Sequence, residues 1–519
     1  MITPDLGRYM TLLSRELGRQ VAVLIDRRGN IPFVIVGDNR GLTIPDLSDY
    51  SLGPKRLRGL RLVHTHLKDE PLTNDDFTDL ALLRLDAMIA VGVAPDGFPG
   101  KVYMAHLLPP NPKGQTWAVV PERPFHQLDV NPAEFIAALE DEMLRVQAES
   151  FNVKDKREKA ILISVMKKGA RSHQEEAMAE LKELAYSADV LVLDSVMQRP
   201  EKINPKTLMG EGKLKDIIIT ALQKGATLMI FDQELTPSQV RSITEIAEIK
   251  VIDRSQLILD IFANRAKSRD GKVQVELAQL KYMLPMLSGK GTALSRLMGG
   301  IGGRGPGETK LETDRRRVRD RISQLEKTLT ELSRARAQRK SRRAEAGLPI
   351  ISIVGYTNAG KSTLLNALTQ SHTVVEDKLF ATLDTASRRL RFPRDRDVII
   401  TDTVGFIRDL PKPLMAAFRA TLEELYDADL LLHVVDVSSP GFEDQMAAVE
   451  KTLDELGLGE KDRLVVFNKS DLIYPDLAFS IAHNRGGVAV SALDRKTFPP
   501  LLDMLEERLW PGEAGPDFS

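Results

Sequence analysis

The sequence predicts a multi-domain α/β protein, and three observations carry that prediction. Between residues 159 and 254 the apolar runs "KAILISVM", "DVLVLDSVM", "ATLMIFD" and "KVIDR" alternate with helical stretches. That is the pattern of βαβ units around a parallel sheet. From residue 350 onward a second series of apolar strands appears, and each ends in a short polar or Gly-rich motif. Between the two series lie paired segments whose apolar residues step by four and three, the spacing of packed helices. At 519 residues the chain has room for roughly three domains.

Composition narrows the class. Hydrophobic residues are 42% and charged residues 28% of the chain, ordinary values for a soluble globular protein. The formal net charge of -1 supplies no global field toward nucleic acid or anionic membrane, so any basic surface is local. There is no cysteine, which excludes disulfides and thiolate zinc sites. The N-terminus "MITPDLGRYM" lacks the basic and apolar regions of a signal peptide. No apolar stretch approaches the about 18 residues of a membrane-spanning helix. The expected location is the cytoplasm.

The elements follow in order. Residues 1–150 read as a mixed α/β extension. Within it "QVAVLIDRRGNIPFVIVGD" gives two strands around a polar turn, and "TNDDFTDLALLRLDAM" and "NPAEFIAALEDEMLRVQAE" give helices. Residues 151–260 hold the alternating α/β series. Residues 261–345 hold the paired helices. Their seams are Val273, Leu277, Leu280, Leu284 and Leu287, then Val318, Ile322, Leu325, Leu329 and Leu332. The spacing predicts an antiparallel hairpin with a long Gly-rich tip, and Pro285 kinks or ends its first helix. Residues 346–512 form a phosphate-binding α/β domain, and 513–519 a tail. From Asp314 to Arg343, twelve Arg or Lys stand against four Asp or Glu, a local balance of +8. Beside a Gly-rich loop that run is expected to contact a phosphate backbone, against the bland reading of a solvated face.

Four motifs carry chemistry. "GYTNAGKS" (355–362) joins a strand to a helix. Its backbone N–H groups, from Gly355, Tyr356, Thr357, Asn358, Ala359 and Gly360, can close around phosphate oxygens, and Thr363 follows in the helix. Lys361 can reach the β- and γ-phosphates, and the Ser362 hydroxyl can bind Mg²⁺. "DTVG" (402–405) supplies Asp402 behind the Mg²⁺, then Thr403, Val404 and Gly405, whose N–H can reach a γ-phosphate. "NKSD" (468–471) supplies Asp471, whose carboxylate pairs with guanine N1–H and the 2-amino group, donors that adenine lacks. Asn468 bonds the purine or ties the base loop to the phosphate loop, and the Lys469 stem covers the base. Ser491 and Ala492 end a further strand, where a backbone N–H can meet guanine O6. Thr382, with Thr385 second in line, is the expected switch threonine over Mg²⁺ and γ-phosphate. The catalytic set is therefore Lys361, Thr382 and Gly405, and the reaction is hydrolysis of GTP. Phe406 stands where Ras-like enzymes carry the glutamine that orients the attacking water.

Over roughly residues 158–510 the sequence resembles the HflX GTPases, most specifically in "FDQELTPSQ", "VIDRSQLILDIFANRAKSRDGKVQVELAQLKYMLP" and "GGIGGRGPGETKLETDRRRV". Members bind the large ribosomal subunit, and some split stalled or idle ribosomes under stress. The resemblance implies that role, with rRNA as partner. It also implies slow hydrolysis alone, because members carry an apolar residue at the position of Phe406, and stimulation by the ribosome. Related G domains with Asn at the position of Asn358 hold K⁺. Some members bind ATP in the upstream domain, where this sequence offers Gly210, Gly212 and Lys213 in "MGEGKLKDI". Many members continue into a small C-terminal domain, whereas this sequence closes on "LWPGEAGPDFS". Shorter members lack the first 150 residues.

That extension carries "LVHTHLKDEPLTNDD". His64 and His66 face one side of a strand, and Asp76 opens a helix. The arrangement resembles the zinc motif of JAMM and RadC-like proteins, with Thr73 in place of Ser. It departs from them in spacing by one residue, in Leu67 for the usual Pro, and in lacking a well-placed upstream Glu, Glu16 being the nearest. Thr73 and Asp76 equally make an N-terminal helix cap. Two further classes thus stand beside the ribosome factor: a GTP-switched RNA-binding or assembly factor without splitting activity, and a metallohydrolase regulated by its G domain.

Overall fold

The structure, a computed structural model, describes all residues except 39–40, 48, 51–56, 112, 151–156, 167–170, 247–248, 288–306, 345–347, 370–378, 381–385, 393–395, 404, 409–414, 416–422 and 512–519. The chain divides into two compact units. Met1–Ile161, Pro200–Met229 and Ser242–Lys250 make the first; Leu162–Arg199, Ile230–Arg241 and Val251–Ser519 make the second.

The first unit is built on a six-stranded sheet of order β2-β1-β3-β4-β5-β6. Its strands are β1 (Val21–Asp26), β2 (Phe33–Val36), β3 (Leu60–His66), β4 (Ala87–Val93), β5 (Pro99–Leu107) and β6 (Trp117–Pro124). Alternation sorts their side chains between two cores. Ala22, Leu24, Met88 and Ala90 join one cluster, while Val21, Val23, Ile25, Ala87, Ile89 and Val91 join the other, as a period of two requires. Helices α1 (Pro4–Leu17), α2 (Asn74–Leu82) and α3 (Pro132–Ser150) complete the extension. The helix expected over "TNDDFTDLALLRLDAM" is shorter than its pattern suggested. It ends at Leu82, Arg84 turns the chain at φ 53°, and Ala87 already begins β4. The run "AMIAVGV" is buried throughout between β3 and β5, so sheet pairing overrides its helix-compatible composition.

The alternating series forms a four-stranded sheet of order β10-β9-β7-β8, from β7 (Lys159–Val165), β8 (Leu191–Gln198), β9 (Leu228–Phe231) and β10 (Lys250–Asp253). The intervening helices are α4 (Arg171–Ser187), α5 (Glu211–Lys224) and α6 (Pro237–Ile246). In the second unit α7 (Arg254–Arg265) leads into α8 (Arg269–Met286), capped by the Ser268 hydroxyl. The helix α9 (Gly307–Ala344) packs on α8 through the ion pairs Glu276–Arg321 and Lys281–Glu326. Pro285 falls in the last turn of α8, where it disturbs few helical bonds. The seam of α8 differs from the expected one. Leu277 and Leu287 are buried as expected, but Val273, Leu280 and Leu284 are only half-buried, while Gln274, Val275, Ala278 and Tyr282 are buried. The helix packs on α7 as well as on α9: Gln279 donates to Asp260 at 3.1 Å and the Tyr282 hydroxyl donates to Asp253. The expected tip, residues 288–306, lies outside the described residues.

The rest of the second unit is a six-stranded sheet of order β12-β13-β11-β14-β15-β16. Its strands are β11 (Ile350–Gly355), β12 (Ala386–Arg391), β13 (Asp397–Asp402), β14 (Leu430–Asp436), β15 (Arg463–Asn468) and β16 (Val488–Ala489). β11 pairs in parallel with β13 and β14, β14 with β15, and β15 with β16, while β12 runs antiparallel to β13. The helices α10 (Lys361–Thr369), α11 (Glu423–Asp427), α12 (Phe442–Glu455), α13 (Pro475–Asn484) and α14 (Pro499–Leu509) accompany the strands. Leu364, Leu368, Leu501 and Leu505 pack with Ile351, Ile353, Val398, Leu432 and Val466 in one core. The C-terminal ends of β11, β13 and β15 deliver Gly355, Asp402 and Asn468, at the end of the sheet where ligands of α/β proteins bind.

Candidate functional site

The phosphate loop is shaped by three left-handed backbone positions. Asn358 has φ 62° and Gly360 φ 87°, and Gly355 has φ 150°. A Cβ on Gly355 would lie 2.2 Å from the Val434 carbonyl oxygen, and one on Gly360 2.2 Å from Asn468 Nδ2. These glycines are demanded by space as well as by φ. Residues 356–360 then lead directly into α10, whose N-terminus is a ready anion site. Lys361 is buried, and its Nζ donates to the Tyr356 carbonyl at 2.7 Å. Burial pushes the ammonium down to about 8, with Asp402 opposing the shift. Ser362 Oγ donates to Asp402 Oδ2 at 2.7 Å. This hydroxyl and carboxylate fit Mg²⁺: Ser362 would hold the ion directly and Asp402 would stand behind it. Thr403 Oγ1 donates to the Ile353 carbonyl at 2.6 Å, fixing the end of β13 beside β11.

Gly405 lies against the phosphate loop. A Cβ there would sit 2.8 Å from Thr357 Cγ2 and 3.0 Å from Lys361 Nζ. Phe406 is 2% exposed. Its backbone bridges to Tyr356: Phe406 N–H donates to the Gly355 carbonyl at 3.1 Å, and Thr357 N–H donates to the Phe406 carbonyl at 2.7 Å. Phe406 is thus a packed anchor and offers no polar group to an attacking water. Thr382, Thr385 and Val404 lie outside the described residues.

The base loop is bound to the phosphate loop through Asn468. Its Nδ2 donates to the Ala359 carbonyl at 2.8 Å, and its Oδ1 accepts from Ala492 N–H at 2.9 Å. Of the two roles expected for Asn468, this geometry is the tie between loops. Lys469 has φ 63° and its Nζ pairs with Asp436 at 2.7 Å, which holds the side chain in place. Asp471 is exposed in the short helical turn 470–472, accessible to a base. Ser491 N–H donates to Thr497 Oγ1 at 3.0 Å.

Sequence reasoning missed a cluster behind the phosphate loop. Tyr356 Oη donates to Glu180 Oε1 at 2.5 Å and accepts from Arg408 N–H at 2.8 Å. The other Glu180 oxygen pairs with buried Arg254 at 2.8 Å. Arg254 also meets Asp232 at 3.3 Å and donates to the Arg408 carbonyl at 3.2 Å. Burial, then Glu180, drives the Tyr356 phenol well above its ordinary range. No short motif links positions 180, 254 and 408, so only folding brings them together.

In the first unit, His64, His66 and Asp76 converge, with ligand-type atoms within 4.8 Å of one another. The two Nε2 atoms are 3.0 Å apart, and Asp76 Oδ1 and Oδ2 lie 3.3 Å and 3.6 Å from them respectively. His66 Nδ1 lies 2.8 Å from the Glu70 carbonyl. That contact assigns the ring proton to Nδ1 and leaves the Nε2 lone pair facing the cluster. Asp76 also closes a capping box, accepting from Thr73 N–H at 2.7 Å, so cap and cluster coexist. Glu16 is exposed on α1. The acid the pattern missed is Asp79, one turn beyond Asp76, which burial pushes up to about 6. Gly210 is the N-cap of α5, with Gly212 and Lys213 exposed in its first turn.

The order in which the phosphate, metal and base loops follow parallel strands admits one class of protein, a P-loop enzyme that binds guanine nucleotide with Mg²⁺ and hydrolyses GTP. Residues 350–469 match the family described as 50S ribosome-binding GTPase. Residues 175–263 match GTP-binding GTPase N-terminal, and 265–343 match GTP-binding GTPase Middle Region. The GTPase HflX of Caldanaerobacter subterraneus subsp. tengcongensis is 48% identical over 354 residues, 68% of this chain and 81% of the relative. That of Escherichia coli is 41% identical over 362 residues, 69% and 84% of the two chains. A GTP-binding protein from Sulfolobus solfataricus, solved in complex with GDP, aligns over 68% of this chain and 98% of its own at 25% identity and a TM-score of 0.37. The chain belongs to the HflX family of GTPases.

Proposed function

We propose that this GTPase binds the large ribosomal subunit through its rRNA and uses GTP to dissociate stalled or idle ribosomes under stress. One observation supports the reading: the phosphate loop, Asp402, Gly405 and the loop of Asn468 share a compact unit with the long basic helix α9. Arg316, Arg317 and Arg319 are exposed on α9 and Arg315 is half-buried. Arg321 differs from the expected phosphate contact, since its guanidinium is engaged by Glu276 at 2.7 and 3.0 Å and braces α8. The tip, with Lys290, Arg296, Arg304 and Lys310 against Glu308 and Glu312, would reach into the ribosome. Buried Phe406 supports slow turnover alone and stimulation by the ribosome, because no side chain at 406 can orient water. Supplying the missing group in trans is worth ~10³ to 10⁵ in rate. The reading does not require ATP at the exposed start of α5.

Light scattering of 70S particles with the protein and GTP tests it. Splitting is expected from the parent. Replacing residues 295–307 with a short Gly-Ser linker should abolish splitting while leaving GTP affinity unchanged. Binding without splitting by the parent would favour the assembly-factor alternative. Fast turnover by the isolated protein in both Na⁺ and K⁺ would remove the need for a partner, and a rate high in K⁺ alone would favour a potassium ion beside Asn358.

A second reading rests on the His64–His66–Asp76 cluster. Three donors with one fixed tautomer fit a zinc ion with an open fourth position. Zinc near one equivalent, lost in His64→Ala, is the expected metal analysis. Protein purified without chelators and carrying no zinc would leave the capping box as the whole role of Asp76.

A further inference from the structure

We propose that Tyr356, Glu180 and Arg254 form a positioning latch, which holds residues 405–408 against the phosphate loop and ties nucleotide state to helices α4 and α7. The contacts form a closed ring. Tyr356 Oη donates to Glu180, Glu180 pairs with Arg254, Arg254 donates to the Arg408 carbonyl, and Arg408 N–H returns to Tyr356 Oη. Two of its members are local to the nucleotide site: Tyr356 belongs to the phosphate loop, and Arg408 lies three residues beyond Gly405. The other two come from α4 and α7. The ring is deep, with Arg254 only 6% exposed.

The ring does not act alone. Ser187, the last residue of α4, accepts from Leu379 N–H at 3.0 Å. Phe262 of α7 meets the buried Phe380 ring at 4.5 Å between centroids. Leu379 and Phe380 immediately precede the stretch containing Thr382. The phosphate loop, the Asp-x-x-Gly turn and the approach to the switch threonine are therefore each gripped from α4 or α7.

This arrangement has a chemical consequence. With phenylalanine at 406, GTP hydrolysis depends on backbone donors such as Gly405 N–H being held in place. Residues 406–408 are pinned on one side by the bridge to Gly355 and Thr357, and on the other by the ring. Gly405 can approach a γ-phosphate only as far as that pinned segment allows. A γ-phosphate that draws Gly405 inward must then load the ring, and the ring must in turn set how strongly GTP is preferred over GDP. Linkage requires the two effects to be equal. The inference needs the GTP site but not the ribosome, so it stands or falls separately from the splitting activity.

The test compares the affinities of a non-hydrolysable GTP analogue and GDP in the full chain, by titration with fluorescent nucleotides. Tyr356→Phe deletes one oxygen and keeps the ring packing; Glu180→Gln weakens the same ring from its other side. Each is expected to shift the analogue-to-GDP affinity ratio by at least about fivefold, the lower end of measured couplings. The double variant is expected to shift it no further than the stronger single one, because both break one ring. Arg254→Met is the harsher variant, leaving half-buried Glu180 and buried Asp232 without their cation. A ratio shift smaller than fivefold in Tyr356→Phe overturns the proposal. So does a loss of both affinities in step with a lowered melting temperature, which a merely structural hydrogen bond would give.

Discussion

Asn468→Ala cuts the tie between the base and phosphate loops. Asn468 is buried, and its amide makes two bonds at 2.8 and 2.9 Å to the backbones of Ala359 and Ala492. Truncation leaves a buried carbonyl and a buried N–H without partners. Each such orphan costs about 1–3 kcal/mol. Allowing for partial relaxation around Gly360, whose Cα faces Asn468 Nδ2, the loss is about 3 kcal/mol. At roughly 2–4 °C per kcal/mol for a domain of this size, the transition that GTP raises should fall by ~10 °C. Asn468→Asp keeps the acceptor for Ala492 N–H but sets a carboxylate oxygen against the Ala359 carbonyl, so it should be worse than Ala. Calorimetry with and without GDP, together with nucleotide titration, reads both effects. A transition within about 2 °C of the parent in Asn468→Ala, with parental GTP affinity, would refute the bridging role.

Other outcomes follow from the same geometry. Asp471→Asn replaces an acceptor pair with a mixed amide at the exposed position proposed to meet the base, so preference should move from GTP toward XTP; unchanged GTP affinity would falsify the base assignment. His433 sits buried on β14, where burial first, then Arg463 and Lys361, push its imidazole down to about 4. Its native form is therefore neutral where the unfolded chain already binds a proton. The associated stability is present above the ordinary value near 6.5 and is lost as pH falls from there toward 4, by about 3 kcal/mol in all. Melting temperature followed across that window should drop less steeply in His433→Leu than in the parent.

The legible part of the site was the part made by contiguous chain. A phosphate loop is backbone curled around an anion, so "GYTNAGKS" carries its own geometry, and Gly355 and Gly360 are required by φ and by neighbours that the strand order supplies. The capping box of Thr73 and Asp76 was readable for the same reason, since both partners lie within one turn. The helix expected through residue 88 was misjudged because "AMIAVGV" has no strict period. Only its place between β3 and β5 makes it a strand. The apolar seam of α8 was legible only in part, at Leu277 and Leu287, because heptad spacing marks one face and α8 packs against two helices.

The sequence by itself determined the class, a GTPase: the phosphate, metal and base motifs each sit in a few consecutive residues after an apolar strand, and Asp471 is the carboxylate expected to choose guanine. It also determined that Phe406 cannot orient water, since that follows from the side chain alone. Tertiary structure decided how Phe406 is used, as a buried backbone anchor on Gly355 and Thr357. It decided that Asn468 serves as a tie between loops, that Arg321 braces Glu276, and that Glu180, Arg254 and Tyr356 meet. Positions 180, 254 and 356 leave no periodic or spacing signal when separated by whole elements. Their proximity depends on how α4 and α7 pack beside the phosphate loop, and burying a single arginine among two carboxylates and a carbonyl fixes that packing, because a charge removed from water is stable only where such partners meet it.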